Sequence, residues 1–242
     1  MDYGTNVSGE RRLQFRDVTV NLEDLSMQIE PRPRIKSMLP SEWDTTALDA
    51  LGAFPKSLEF VMSRWRAGGI DARGMHALGA LVHHAPLTKA FMTFNAHVAG
   101  ASTLAARVRE IVIIRVSWLR QSEYELVQHL ILGRRAGLSE AELQRIQLGP
   151  DAEGWEEADA DLLRVADELC ANARISDSTW ARLVPRYTVQ QLIDLVFVIG
   201  CYEILAMAFN SFNIELEPGV QPLDADTRAR LHASKLNSGV DL

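Results

Sequence analysis

Residues 192–209 read LIDLVFVIGCYEILAMAF, eighteen residues with only two charges, Asp194 and Glu203. No other segment constrains the fold as strongly. Its length reaches the lower limit for a membrane span. Each carboxylate would cost about 2.5–3.5 kcal/mol or more in lipid, and no Lys or Arg clamps either end closely. The segment is therefore expected as a helix buried all round, in a core or a subunit interface, with no membrane partner.

Helix punctuation runs through the rest of the chain. Pro55 opens a run to Arg66 with Leu58, Val61, Met62 and Trp65 on one face, ended by Gly68-Gly69. Residues 71–84 predict a second helix. Pro86 starts a third (Leu87, Phe91, Phe94, Val98), closed by Gly100. Ser102 is the expected N-cap of a fourth, running to about Leu119. Residues 121–136 predict a fifth, with Arg134-Arg135 in its last turn, where the helix dipole favours cations. Capping boxes at Ser139–Glu142 and Thr188–Gln191 open two more, the second being the apolar helix, which runs to about Phe212. Helices are also expected at 155–173 and 177–184. Residues 1–40 read as an arm with room for a short strand within Leu13–Leu25, broken by Pro31 and Pro33. The arm is expected to pack on its own body or on a neighbouring subunit, or equally to be partly disordered. Residues 41–217 form the helical domain, and 218–242 a polar, peripheral tail. No sustained period-two alternation or Asn-Gly or Asp-Gly hairpin signal appears, so the expected class is an all-α helical bundle. A weak internal echo, 109–126 against 190–204, ends each time in Tyr-Glu (Tyr124-Glu125, Tyr202-Glu203) and raises the question of a pseudo-repeat.

Composition excludes several classes. At 242 residues the chain can bury a full core without disulfides or metal. A net charge of −7 argues against nucleic acid as a partner. Two cysteines, Cys170 and Cys201, give no disulfide framework and point to a reducing, cytoplasmic setting. No apolar run follows the first charges, so no signal peptide is expected. No ligand spacing for zinc and no glycine-rich phosphate loop is present, so neither metal nor cofactor is expected.

Chemistry concentrates in the fourth and fifth helices. Ser122, Glu125 and His129 fall on one stripe, and the i, i+4 spacing of Glu125 and His129 lets them share a proton. That spacing fits an acid–base pair or a structural contact on a helix face. Tyr124 and Val127 point toward the core. Glu110 heads Ile111-Val112-Ile113-Ile114, with Arg107 and Arg115 nearby. It is either a desolvated acid beside an arginine that holds an anionic substrate, or half of an internal salt bridge. His97, one turn before Gly100, can face either way. His83-His84, before Pro86, suit cap or surface roles. Glu203 is a second functional acid or the polar anchor of a subunit contact, the latter preferred. The two cysteines read as inert small hydrophobes.

The run Leu104–Ile146, LAARVREIVIIRVSWLRQSEYELVQHLILGRRAGLSEAELQRI, resembles the carboxymuconolactone decarboxylase family, which includes the alkyl hydroperoxidase D-like proteins. The likeness rests on Arg109-Glu110, on Glu123-Tyr124-Glu125 with His129, and on 134–139, and extends loosely over about 85–217. It implies an all-helical fold and homo-oligomers (dimer, trimer or hexamer). The peroxidase branch carries Cys-x-x-Cys with an upstream Glu and a following His. Those positions fall on Ser122, Glu125, Glu110 and His129, so both thiols are missing. The decarboxylase branch needs no cofactor. It needs a cation for carboxylates and an acid to protonate a carbanion-like centre.

The expected activity is a cofactor-independent lyase or isomerase acting on a small or medium carboxylated or lactone metabolite. Catalytic candidates are Glu110, Glu125, His129, Ser122 and Tyr124, and substrate-binding candidates are Arg107, Arg115 and His97. The alternatives are a peroxidase using an unorthodox cysteine, or a non-catalytic binding or assembly protein. A pocket filled by Trp118 or Met207 would favour the last.

Overall fold

A computed structural model of the chain describes residues 32–233 and the backbone of 12–15 and 18–21. The chain divides into two units, Met1–Pro33 and Arg34–Leu242. In the first, β1 (Arg12–Phe15) pairs antiparallel with β2 (Val18–Asn21), Leu13 opposite Val20. The arm thus holds a two-stranded ladder where a single strand was expected.

The second unit is all-α. Its helices are α1 (Thr45–Leu51), α2 (Pro55–Arg66), α3 (Met75–Leu81), α4 (Ala85–Ala96), α5 (Ala106–Leu119), α6 (Glu123–Arg135), α7 (Glu140–Leu148), α8 (Glu157–Asn172), α9 (Asp177–Leu183), α10 (Val189–Phe212) and α11 (Ala225–Ala233). Both expected capping boxes form: Glu142 N donates to Ser139 Oγ and Gln191 N to Thr188 Oγ1, each box closed by the reciprocal side chain. The capping reading of Ser102 is corrected. The N-cap of α5 is Ala105, and Ser102 Oγ donates to Asp194 Oδ2 at 3.1 Å.

Helix α5 organises the body. Every residue from Glu110 to Trp118 is buried, because α6, α7, α8 and α10 pack around it. Ile111, Val112, Ile114 and Val116 are fully enclosed, each worth roughly 1.5–3 kcal/mol of burial. A second apolar cluster joins α1 to α4 through Trp43, Leu51, Val61, Leu78 and Met92.

The long apolar helix differs from its expectation. One face of α10 is buried through Leu195, Val198, Ile199, Leu205 and Phe209. The other face leaves Val189 70%, Ile193 53%, Phe197 54%, Ile204 50% and Met207 57% exposed. It is the one described helix long and apolar enough to cross a membrane, yet both of its carboxylates are held within the body. Asp194 accepts from His97, Ser102 and Thr103. Burial would raise its carboxyl, but those donors outweigh it and hold it near 2. Glu203 accepts from Arg120 Nε at 2.7 Å and from the Cys170 thiol at 2.8 Å. Within the chain it ties α10 to Arg120 and Cys170. The echo segments also differ: Tyr124 follows a break between α5 and α6, whereas Tyr202 lies within unbroken α10.

The tail after Pro218 is more than a polar fringe. Val220, Leu223 and Leu231 enter the core, and Arg228 pairs with Glu123 at 2.6 Å. Two close approaches need glycine. Gly149, at φ +100°, admits the Arg115 guanidinium, which donates to the carbonyls of Ile146 and Gln147. At Gly79, the Met38 N–H donates to the glycine carbonyl at 3.0 Å, and a Cβ would fall on the Met38 carbonyl oxygen. Gly79→Ala is expected to cost about 1–3 kcal/mol, read as a lowered thermal midpoint; an unchanged midpoint would refute this packing.

Candidate functional site

The two apolar clusters meet along a seam, and the seam is hollow. A cavity of about 320 Å³ opens there, between Phe54, Phe60, Leu78 and Met92 on one side and Tyr202, Leu205 and Phe209 on the other. Helix α6 forms the polar wall. Tyr124, Glu125, Gln128, His129, Leu132 and Arg135 all line the cavity, a spacing that follows one face of an α-helix. The preceding turn, with Gln121 at φ +52°, aims that face.

Glu110 and His129 meet across α5 and α6. His129 Nδ1 lies 2.8 Å from Glu110 Oε2, and both residues are 8% exposed. A carboxylate accepting from Nδ1–H leaves Nε2 as the basic nitrogen. Nε2 has no protein partner among the described residues, and the ring faces the cavity. Tyr202 holds it edge-on, with centroids 4.7 Å apart at 87°. Glu110 itself does not line the cavity and touches it only through His129.

The expected Glu125–His129 pair does not form, because His129 turns to the neighbouring helix. Glu125 is left 2% exposed, and neither carboxylate oxygen has a hydrogen-bond partner. Burial pushes its carboxyl up to about 8. The Ser122 hydroxyl works in the opposite direction but misses hydrogen-bond geometry, so desolvation wins. Glu125 is thus a protonated acid at neutral pH, facing a mostly apolar hollow.

The other expected site residues separate. Tyr124 lines the cavity, but its hydroxyl donates to Glu217 Oε1 at 2.5 Å. Ser122 is fully buried at the N-cap of α6 and does not reach the cavity. Arg107 grips Asp159 and Glu142, and Arg115 grips Asp167 and two backbone carbonyls, so neither faces the cavity or bonds Glu110. Both are internal clamps in place of substrate cations. His97 pairs with Asp194 at 2.8 Å and also stands outside the cavity. His84 caps α4 through the Leu87 N–H.

Other lining residues carry no clear signal in the sequence. Gln128 donates to Glu217 Oε2 at 2.9 Å, and that carboxylate also accepts from the His76 N–H, so Glu217 braces the wall. Arg73 comes from the glycine-rich turn before α3, where charge reads as ordinary surface. The sequence accounts for Arg135 through the helix dipole alone, and it marks Tyr202 only as part of the internal echo. Among the described residues no three His, Cys, Asp or Glu side chains gather as a metal site.

Residues 85–168 match the model of the carboxymuconolactone decarboxylase family. No curated protein sequence matches the chain. Among solved structures, a peroxidase-related protein from Silicibacter sp. TM1040 is 15% identical, covers 84% of this chain and 99% of its own, and has a TM-score of 0.59. The debrominase Bmp8, in a variant form complexed with 2,3,4-tribromopyrrole, is 11% identical over 86% of this chain and 98% of its own, with a TM-score of 0.59. A peroxidase-related protein with an alkylhydroperoxidase AhpD core, from Ralstonia eutropha JMP134, is 14% identical over 72% and 94%, with a TM-score of 0.56. At these identities the likeness is one of fold.

Glu125 makes stability depend on pH in a stated direction. Near pH 4 and below, the carboxyl is protonated in both folded and unfolded chains. Between there and about 8 only the unfolded chain ionises, so stability falls as pH rises. Glu125→Gln should remove that slope. Its stability relative to the native chain should rise by on the order of 3–5 kcal/mol from pH 5 to 8, measured by denaturant unfolding. Parallel slopes in the two proteins would show that Glu125 is ionised when folded.

Proposed function

Because residues 85–168 match the model of the carboxymuconolactone decarboxylase family, we propose that the chain is a cofactor-independent acid–base enzyme of that family, a lyase or isomerase of a carboxylated or lactone metabolite. The observation that carries this reading is the Glu110–His129 pair backing onto a cavity that also holds protonated Glu125. His129 Nε2 takes or gives a proton at the reacting carbon, and Glu110 keeps the imidazole in the required tautomer. In isomerisation His129 removes a proton at one carbon and Glu125 delivers one at another; decarboxylation takes up a single proton, which Glu125 supplies. In decarboxylation the C–C bond to the carboxylate breaks, CO₂ leaves, and the electron pair passes to the adjacent conjugated system before protonation. A largely apolar hollow strengthens each of these interactions.

The alternatives have less support. Burial and the Glu203 contact push the Cys170 thiol up to about 12, and burial pushes Cys201 to about 12. A peroxidase needs a thiolate near neutral pH. Neither cysteine lines the cavity. Trp118 is packed in the core and Met207 points outward, so neither fills it, which weakens the non-catalytic reading.

The reading includes self-association. The exposed face of α10 carries Val189, Ile193, Phe197, Ile204 and Met207 in one stripe, a surface of the kind that a second copy covers.

Activity is tested by incubating cyclic and lactone carboxylates with the protein in deuterium oxide, reading CO₂ release and deuterium at the substrate carbon. His129→Ala should lower turnover about 100-fold or more, and Glu110→Gln about 10- to 100-fold. Cys170→Ser with Cys201→Ser should keep it. Full turnover in His129→Ala ends the assignment. For assembly, light scattering should give a multiple of the 27.0 kDa chain mass, reduced to one chain by Phe197→Asp with Ile204→Asp. A native chain that is monomeric at micromolar concentration removes that part.

A further inference from the structure

Many of the described arginines meet a carboxylate or carbonyl in good geometry. Arg107, Arg115, Arg120, Arg182 and Arg186 all do so. Arg73 is different. It is 9% exposed and lines the cavity. Its Nε lies 2.9 Å from Asp71 Oδ1, but the N–H is not aligned on that oxygen, which leaves Nε without a hydrogen bond. Its terminal nitrogens donate to no described residue; the guanidinium instead sits 5.7 Å from the Phe60 ring centroid. Arg135 stands exposed on the same cavity, without an ion pair among the described residues. Burial disfavours the Arg73 charge; Asp71 offsets this in part, and Arg135 and Arg64 repel it. Two cations left this way ask for an anion between them.

The remainder of the cavity sets the ligand's body. Phe54, Phe60, Phe91, Leu78, Met92 and Phe209 contribute apolar wall. A small polyanion would leave that wall wet and bring its extra charges toward Asp71 and Glu217, which already face Arg73. Phe54, Phe60, Arg73 and Leu78 lie before the residues matched by the family model, 85–168, on or beside the helices that precede it.

We infer that Arg73 and Arg135 form an anion-binding end to the cavity, and that its substrate is an amphipathic monoanion: one carboxylate-type head on the two guanidiniums and an apolar, ring-bearing body on the aromatic wall. This deepens the acid–base reading by naming the substrate class, and it rests on that reading only for what happens after binding. Glu125 and His129 line the same cavity; with its one carboxylate held by the guanidiniums, such a substrate meets them through its body, so the step is proton transfer in an isomerisation and not loss of that carboxylate as CO₂.

The test is equilibrium binding, independent of turnover. The full chain is titrated calorimetrically with 3-phenylpropanoate, its neutral amide, and succinate. Native protein should bind 3-phenylpropanoate at least tenfold more tightly than either of the others. Arg73→Met and Arg135→Met should each weaken it tenfold or more without changing the amide. Arg73→Lys, which keeps the charge and loses the fork, should fall between. Arg135 is on the surface, so its variant reports even if the Arg73 variants unfold. His129→Ala should retain the binding; loss of turnover there with binding intact separates the two readings. Equal affinity for acid and amide, tighter binding of succinate, unchanged affinity in Arg135→Met, or no binding of 3-phenylpropanoate by the native chain would overturn the assignment.

Discussion

The Glu110–His129 hydrogen bond, 2.8 Å long and about nine-tenths buried at both ends, depends on the whole helical body and gives the site its direction. A carboxylate in apolar surroundings costs several kcal/mol unless a donor meets it. Here the donor comes from the next helix, so the pair ties α5 to α6 while turning the free imidazole nitrogen toward the seam. The turn at Gln121 and the enclosure of α5 hold that geometry. The same packing that makes the core dry gives the hollow beside it an apolar lining, and that lining keeps Glu125 protonated.

Charge is sorted by the same packing. Buried carboxylates outside the cavity are surrounded by donors: Asp161 by three guanidiniums, Asp194 by an imidazole, two hydroxyls and a backbone N–H. Those groups are structural, and their protons are not available near neutral pH. Inside the cavity the satisfaction is incomplete. Glu125 has no partner and Arg73 an imperfect one. In a body that otherwise satisfies its buried charges, groups left short of hydrogen bonds on one cavity are where a ligand's polar atoms fit.

The fold was largely legible because helix signals are local. Capping residues at 139–142 and 188–191, the proline at 55 and the glycines at 68–69 act within a turn or two, and those elements form where the pattern placed them. Expectations that required knowing a neighbour fared differently. Ser102 looks like a cap until Asp194 competes for its hydroxyl. Arg107 and Arg115 look free to hold substrate until Asp159, Glu142 and Asp167 arrive from helices far along the chain. Glu125 and His129 have ideal spacing, yet the imidazole finds a better-placed acceptor on another helix.

The sequence alone determined that the body is helical, that acids and an imidazole cluster on its middle helices, and which family pattern they follow. Periodicity, caps and local motifs are properties of neighbouring residues, and they survive whatever the rest of the chain does. Only the tertiary structure decided which acid holds the histidine, which stays protonated, and which arginines are left for a ligand. Those outcomes depend on solvent exclusion and on competition between partners distant along the chain, and no stretch of sequence contains either.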